Sequence, residues 1–210
     1  MTTRTLGIGS LKGGVAKTTT ALHLGAALAS AARPVLVIDG DPLRPLTAWA
    51  SAGRLPHYLV VMDEQRAART GAARDVALVV LDLAGGDADA LTGVAGDLDI
   101  LVVPSTPDAL ALSAAQRTLD ALPTGANARV LLTMIPPKPS KAGESAAQTL
   151  RDAGLTVLRT TVPRLTAFAD AAAVGCLVSD LPGPRAARGA DAYRLLAKEV
   201  QTWLSGKRQK

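Results

Sequence analysis

The stretch Gly9-Ser10-Leu11-Lys12-Gly13-Gly14-Val15-Ala16-Lys17-Thr18-Thr19-Thr20 restricts the fold of this 210-residue chain more than any other segment. It closes the apolar run Thr5–Ser10 and opens an alanine- and leucine-rich stretch without proline, so it reads as strand, glycine-rich loop, helix. Gly13 and Gly14 let the backbone turn tightly enough for its N–H groups to converge on one anion. The helix that follows brings the positive end of its dipole to the same place. In such a loop Lys17 reaches the β- and γ-phosphates of a nucleotide, and Thr18 offers its hydroxyl to Mg2+. Gly9 fits the GxxxxGKT spacing with Ala16 standing for the second glycine. Alanine is tolerated there if residue 16 already has helical dihedrals, and strained if the position needs a positive φ.

The rest of the chain repeats the strand–helix alternation. Apolar runs bounded by turn residues predict strands at Thr5–Ser10, Val35–Asp39, Leu59–Met62, Val76–Asp82, Ile100–Pro104, Arg129–Met134 and Val157–Thr160. Helices are predicted at Lys17–Ala32, Leu43–Ala52, Glu64–Ala73, Asp108–Leu122, Gly143–Ala153 and Thr166–Ala173, with a last one from about Arg185 to Leu204. This order implies right-handed crossovers and one α/β domain, residues 1–210, whose mostly parallel sheet is covered by helices on both faces. Apolar residues make up 48% of the chain but aromatics only 2%, so the core must be built from Ala, Val and Leu. No apolar run approaches the ~20 residues that span a bilayer, and the N-terminus lacks a signal-peptide layout. A cytoplasmic location is expected. The single cysteine, Cys176, excludes an internal disulfide and is expected to be a small buried residue.

Three carboxylates stand where such a sheet binds ligands. VLVIDGDP puts Asp39 and Asp41 at the end of the second strand, two residues apart and so able to face the same way. Asp39 has an equally good reading as the cap of the following turn. VALVVLDLAGG ends a buried strand on Asp82, suited to holding Mg2+, in part through water. Gly85 and Gly86 permit a moving loop behind it, while Asp87 and Asp89 read as helix-start residues.

The segment KGGVAKTTTALHLGAALA resembles the deviant Walker A motif, KGGxxKT, of the ParA/MinD group of partition and positioning ATPases. The resemblance implies a P-loop NTPase fold, ATP and Mg2+ as ligands, and a nucleotide cradle formed by Lys12, Gly13, Gly14, Val15, Ala16, Lys17, Thr18 and Thr19. It implies that Lys12 and Lys17 both serve catalysis, Lys17 within its own subunit and Lys12 across a dimer that sandwiches two ATP molecules. Asp41 matches the family's D-x-D-P motif and would orient the attacking water, although this chain continues with Leu43 where the family has glutamine. DLDILVVPSTPDALAL resembles the next strand and helix, and AVGCLVSDLPG the segment before the last helix. Met134-Ile135-Pro136 and Val162-Pro163-Arg164 fall where the family builds its adenine pocket, which makes Pro163 and Arg164 nucleotide-binding candidates.

Charge supplies the remaining clue. From Arg185 onward there are seven basic residues (Arg185, Arg188, Arg194, Lys198, Lys207, Arg208, Lys210) against Asp191 and Glu199, while the rest of the chain is balanced. The net +5 thus sits at one end, in the pattern that attracts phosphate backbones. The resemblance implies nonspecific DNA binding by the ATP-bound dimer through this region, hence association with the nucleoid, and a ParB-type centromere- or cargo-binding partner that stimulates hydrolysis. The loop begins about ten residues from the N-terminus, which leaves no room for an extra amino-terminal domain. Two rivals stay open. Leu195, Leu196, Val200, Trp203 and Leu204 recur at helical spacing and could form a MinD-like membrane helix, although packing on the sheet fits them better. A metabolic ligase or kinase of the dethiobiotin-synthetase type would need a substrate clamp that the sequence does not offer. An iron–sulfur carrier of the nitrogenase type is excluded by the cysteine count.

Overall fold

The apolar runs become six strands, β1 (Arg4–Ile8), β2 (Val35–Gly40), β3 (Leu59–Asp63), β4 (Leu78–Leu83), β5 (Ile100–Ser105) and β6 (Ala128–Leu132). All are parallel and pair in the order β3-β2-β4-β1-β5-β6. A computed structural model describes residues 3–74 and 76–206. Eight α-helices are found among them: α1 (Lys17–Leu28), α2 (Pro45–Ala50), α3 (Glu64–Thr70), α4 (Ala88–Ala95), α5 (Ala109–Asp120), α6 (Ala142–Asp152), α7 (Ala167–Val174) and α8 (Pro184–Ser205).

Successive side chains of each strand go to opposite faces, as the pleat requires. Leu6, Ile8, Val35, Val37, Val80, Ile100 and Val102 face a core shared with α1, α2, α7 and α8. Leu101, Val103, Val130 and Leu132 face α4, α5 and α6, and Leu36, Ile38 and Val79 pack with α3. Central β1 feeds β2 on one side while β4 feeds β5 on the other. The crevice at their carboxyl ends is therefore the topological switch point where open α/β sheets hold ligands.

Two expectations need correction. The predicted seventh strand at Val157–Thr160 is only a bridge of Val157 to Val130: Leu158 N–H bonds the Val130 carbonyl (2.9 Å), but Arg159 and Thr160 turn their N–H groups to the Glu199 carboxylate instead. The side chain from α8 takes the donors a seventh strand would have used. Helix α4 was not predicted as an element, although Asp87 caps it as expected, accepting from Ala90 N–H (2.9 Å). Smaller shifts are local: α1 stops at Leu28, and α3 ends at Gly71, which takes the left-handed conformation (φ 64) that favours glycine at a helix C-terminus.

Helix α1 is joined to the last helix through His23. Its Nδ1–H donates to the Thr19 carbonyl (2.9 Å) and its Nε2 accepts from Val178 N–H (3.0 Å). The ring stacks on Tyr193 of α8 (5.3 Å) and meets Trp49 and Phe168 edge-on. Thr20 and Tyr193 share a buried hydroxyl–hydroxyl bond (3.1 Å) one turn away. Burial, against the pull of the Thr19 carbonyl and Asp180, lowers the imidazole to about 4 from its usual 6.5. The unfolded chain therefore takes up a proton below pH 6.5 that the fold refuses until about pH 4. Across that window the fold should lose roughly 3 kcal/mol as pH falls. Urea midpoints measured from pH 7.5 to 4.5 should fall more steeply for the unsubstituted chain than for His23→Gln.

Candidate functional site

Loop 9–16 leaves the carboxyl end of β1 and is fastened by buried threonines. Leu11 N–H donates to Thr118 Oγ1 on α5 (3.1 Å), and Thr133 Oγ1, just past β6, donates to the Val15 carbonyl (3.0 Å). Both threonines are fully buried. Sequence reading missed them, because each lies more than 100 residues from its partner and only a hydroxyl within an apolar stretch marks it.

Gly14 has φ 73, and Ala16, directly before α1, has φ 65 and ψ 36. The strained alternative is the one realised: residue 16 is left-handed, where a Cβ costs about 1–2 kcal/mol. Arg44 (φ 51) and Met134 (φ 50) are the other non-glycine residues of this kind among those described, and all three lie at the carboxyl edge of the sheet. Such strain collects where a backbone is shaped for a ligand. Ala16→Gly should relieve it. After the added freedom of the unfolded chain is subtracted, a gain of roughly 0.5–1 kcal/mol remains. In thermal unfolding this corresponds to a Tm increase of about 2 °C.

Behind the loop the N-terminus of α1 carries no acidic residue in its first turn, leaving its dipole uncompensated. Lys17 folds inward and its Nζ donates to the Lys12 carbonyl (3.1 Å). Burial lowers the Lys17 pKa, with Asp82 and then Asp41 pulling it back up. Gly85 closes over this ammonium: a Cβ on it would lie 2.5 Å from Lys17 Nζ. The Lys12 ammonium forms no ion pair with a described carboxylate.

Asp82, at the end of β4, is 1% exposed, and neither of its carboxylate oxygens has a hydrogen-bond partner. Burial pushes its pKa up to about 7; the Thr18 hydroxyl and Lys17 oppose, and Asp39 and Asp41 add to the rise. A buried carboxylate left without partners beside a threonine hydroxyl is the donor set of a divalent cation that keeps part of its water shell, so Thr18 and Asp82 fit Mg2+. Asp39 instead organises the turn. Its Oδ1 accepts from Asp41 N–H (3.3 Å) and its Oδ2 from Thr47 N–H (2.7 Å). Asp41, partly exposed, accepts from Leu43 N–H (2.9 Å) and lies close enough to influence Lys17.

The loop after β6 reaches the same edge through Thr133. Ile135 pairs with Pro163, and Arg164 N–H donates to the Ile135 carbonyl (2.9 Å); Pro163 is half-buried and Arg164 exposed. The basic residues of α8 are not brought together. Arg185, Arg188, Arg194 and Lys198 are all exposed, and Arg194 pairs with Asp191 (2.6 Å). At 3.6 residues per turn Arg185 and Arg194 point to roughly opposite sides, and the four spread over about 20 Å. Lys207, Arg208 and Lys210 lie outside the described residues. Of the predicted apolar stripe of α8, Leu196, Val200 and Trp203 pack into the core with Leu204 partly buried against it, whereas Leu195 is exposed; Tyr193 joins the buried side instead. No helix among the described residues is long and apolar enough to cross a membrane.

With this geometry in hand, comparison with known proteins is informative. Residues 6–178 match the family model of the CobQ/CobB/MinD/ParA nucleotide binding domain. The chain is 34% identical over 195 residues to maintenance of carboxysome distribution protein A from Gloeobacter kilaueensis, covering 90% of each sequence. It superposes on the ATP complex of a Cyanothece McdA variant with a TM-score of 0.74 at 19% identity, over 99% of this chain and 98% of the other. The Mg-ADP complex of the septum site-determining protein MinD from Pyrococcus horikoshii gives 0.73 at 18% identity over the full length of both chains.

Proposed function

Because the chain belongs to the CobQ/CobB/MinD/ParA nucleotide-binding family, we propose that it is an ATP-driven switch that positions DNA or another cargo. It is an ATPase of the ParA/MinD positioning type, with ATP and Mg2+ as its ligands. The finer reading is a cycle. Lys17, the loop N–H groups and the α1 N-terminus bind the phosphates, with Pro163 and Arg164 beside the base. Thr18 and Asp82 would hold Mg2+, which when bound would withdraw charge from the phosphate oxygens. Asp41 accepts a hydrogen bond from the attacking water and aims it; the water oxygen bonds to the γ-phosphorus as the bond to ADP breaks, releasing phosphate. Lys12 serves the ATP of a second subunit, so the dimer lasts as long as the γ-phosphate.

One observation carries this reading: of two lysines in one loop, Lys17 is folded inward onto the backbone and Lys12 is left without an ion-pair partner among the described residues. Leu43 and Leu110, 88% and 75% exposed on the same edge of the sheet, support it as apolar surface for a second copy to cover. The ATP-bound dimer binds DNA without sequence preference, and a ParB-type partner stimulates hydrolysis and releases it. This cycle places the protein on the nucleoid in its ATP state. The test is the mass in solution with ADP and with a non-hydrolysable ATP analogue. A dimer formed only with the analogue supports the switch. A monomer in both, despite measured ATP binding, removes it and favours a metabolic P-loop enzyme.

A further inference from the structure

At the opposite end of the sheet, below the amino ends of β1, β5 and β6, lies an open groove of about 1250 Å³ walled by α8. It gathers four basic side chains from four parts of the chain: Arg4, Arg129, Arg159 and Lys198. Its carboxylates are already committed. Asp99 accepts from Arg4 (2.7 Å) and from Thr5 N–H (2.8 Å), and Glu199 accepts from the N–H groups of Arg159 (2.8 Å) and Thr160 (3.0 Å). Arg129, Arg159 and Lys198 have no ion-pair partner among the described residues. Arg129 lies over the ring of Trp203, 4.2 Å from its centroid, and Trp203 is itself fixed by donating Nε1–H to Asn127 Oδ1 (2.7 Å). A guanidinium held flat on an indole keeps its charge and its N–H edge for a ligand while losing little freedom on binding.

We propose that this groove, more than the dispersed arginines of α8, is the track for a nucleic-acid backbone, with Arg129, Arg159 and Lys198 each neutralising a phosphate. The inference rests on the DNA-binding half of the function proposed above. A recessed channel excludes a flat membrane but admits a narrow line of phosphates, and the Arg129 guanidinium held on Trp203 is positioned in advance for one of them. The groove and the nucleotide loop occupy opposite edges of the sheet, so both ligands can be held at once.

The test uses the full chain with a non-hydrolysable ATP analogue and random-sequence duplex DNA over a salt series. Two variants are compared: Arg129→Gln/Arg159→Glu, and Arg185→Glu/Arg188→Glu/Arg194→Glu. Loss of two phosphate contacts per subunit, four per dimer, should weaken binding by the groove variant at least ~10-fold and make its log–log salt slope shallower by about 3–4, with a smaller loss in the α8 variant. Arg159→Glu alone, which leaves the Trp203 stack intact, should still lose about 3-fold, and each groove variant should keep its affinity for the analogue. Groove variants that bind DNA like the unsubstituted chain, while the α8 variant does not, overturn the groove and leave DNA binding standing. If the unsubstituted chain is not retained on DNA at any salt concentration, the DNA-binding reading fails and the groove assignment with it. Equal competition by polyglutamate overturns the nucleic-acid assignment.

Discussion

Lys12→Ala protein is expected to stay monomeric with a non-hydrolysable ATP analogue at concentrations where the unsubstituted chain doubles its mass. The reason lies in what the substitution leaves intact. Lys17 bonds the backbone carbonyl of residue 12, not its side chain, so the inward lysine keeps its partner. ATP affinity of the monomer should change by less than about 3-fold, because no charge-assisted contact within the subunit is removed. Across the dimer, each subunit loses one ammonium–phosphate contact, worth about 1.5–3 kcal/mol. Two such contacts amount to roughly 3–6 kcal/mol, raising the dimer dissociation constant by about two to four orders of magnitude. Sedimentation paired with nucleotide titration separates the two effects. An undiminished dimer would reduce Lys12 to an ordinary loop residue.

Asp82→Asn should move stability and activity in opposite directions. The carboxyl has its pKa raised from 3.8 to about 7 by burial foremost, so the native state holds a proton that the unfolded chain releases between those values. Stability therefore falls as pH rises from about 4 to 7, and above 7 the full penalty remains, on the order of 4 kcal/mol. An amide carries no charge to bury but still lacks partners. It should recover about half, near 2 kcal/mol. At pH 8 in EDTA without nucleotide, the variant is expected to unfold at higher denaturant than the unsubstituted chain. Its Mg2+-dependent ATP turnover should drop to background, since the carboxylate proposed to hold the ion is gone. A variant that is both less stable and fully active would show that Asp82 is only a core residue.

Both predictions concern residues readable from local pattern. Asp82 ends an apolar run, and Lys12 and Lys17 flank glycines at a strand–helix junction, so spacing alone placed them at one edge. Residue 16 was different: its sequence says alanine, but whether that methyl is strained depends on a dihedral that only the closed loop reveals. Thr118 and Thr133 could not be found because the hydrogen bonds that make them matter close across the whole sheet. The expected strand at Val157–Thr160 has a sound β pattern, yet Glu199, some 40 residues on, captures its N–H groups. Among the basic residues, charge counting singles out the C-terminal end of the chain but cannot show the convergence of Arg4, Arg129 and Arg159, which comes from three separate segments.

The seam between α1 and α8 bears on how the protein is made. The helix behind the phosphate loop leaves the ribosome well before Tyr193, Leu196 and Val200, which cover the same core. Contacts spanning most of the chain form late and slowly. During synthesis the apolar side of α1 is thus exposed until α8 emerges, a window in which a nascent chain needs shielding from aggregation. The same arrangement guards the cell against its fragments. A product truncated before α8 lacks Tyr193, which bonds Thr20 and stacks on His23, so it cannot persist as a shortened ATPase that hydrolyses without positioning anything.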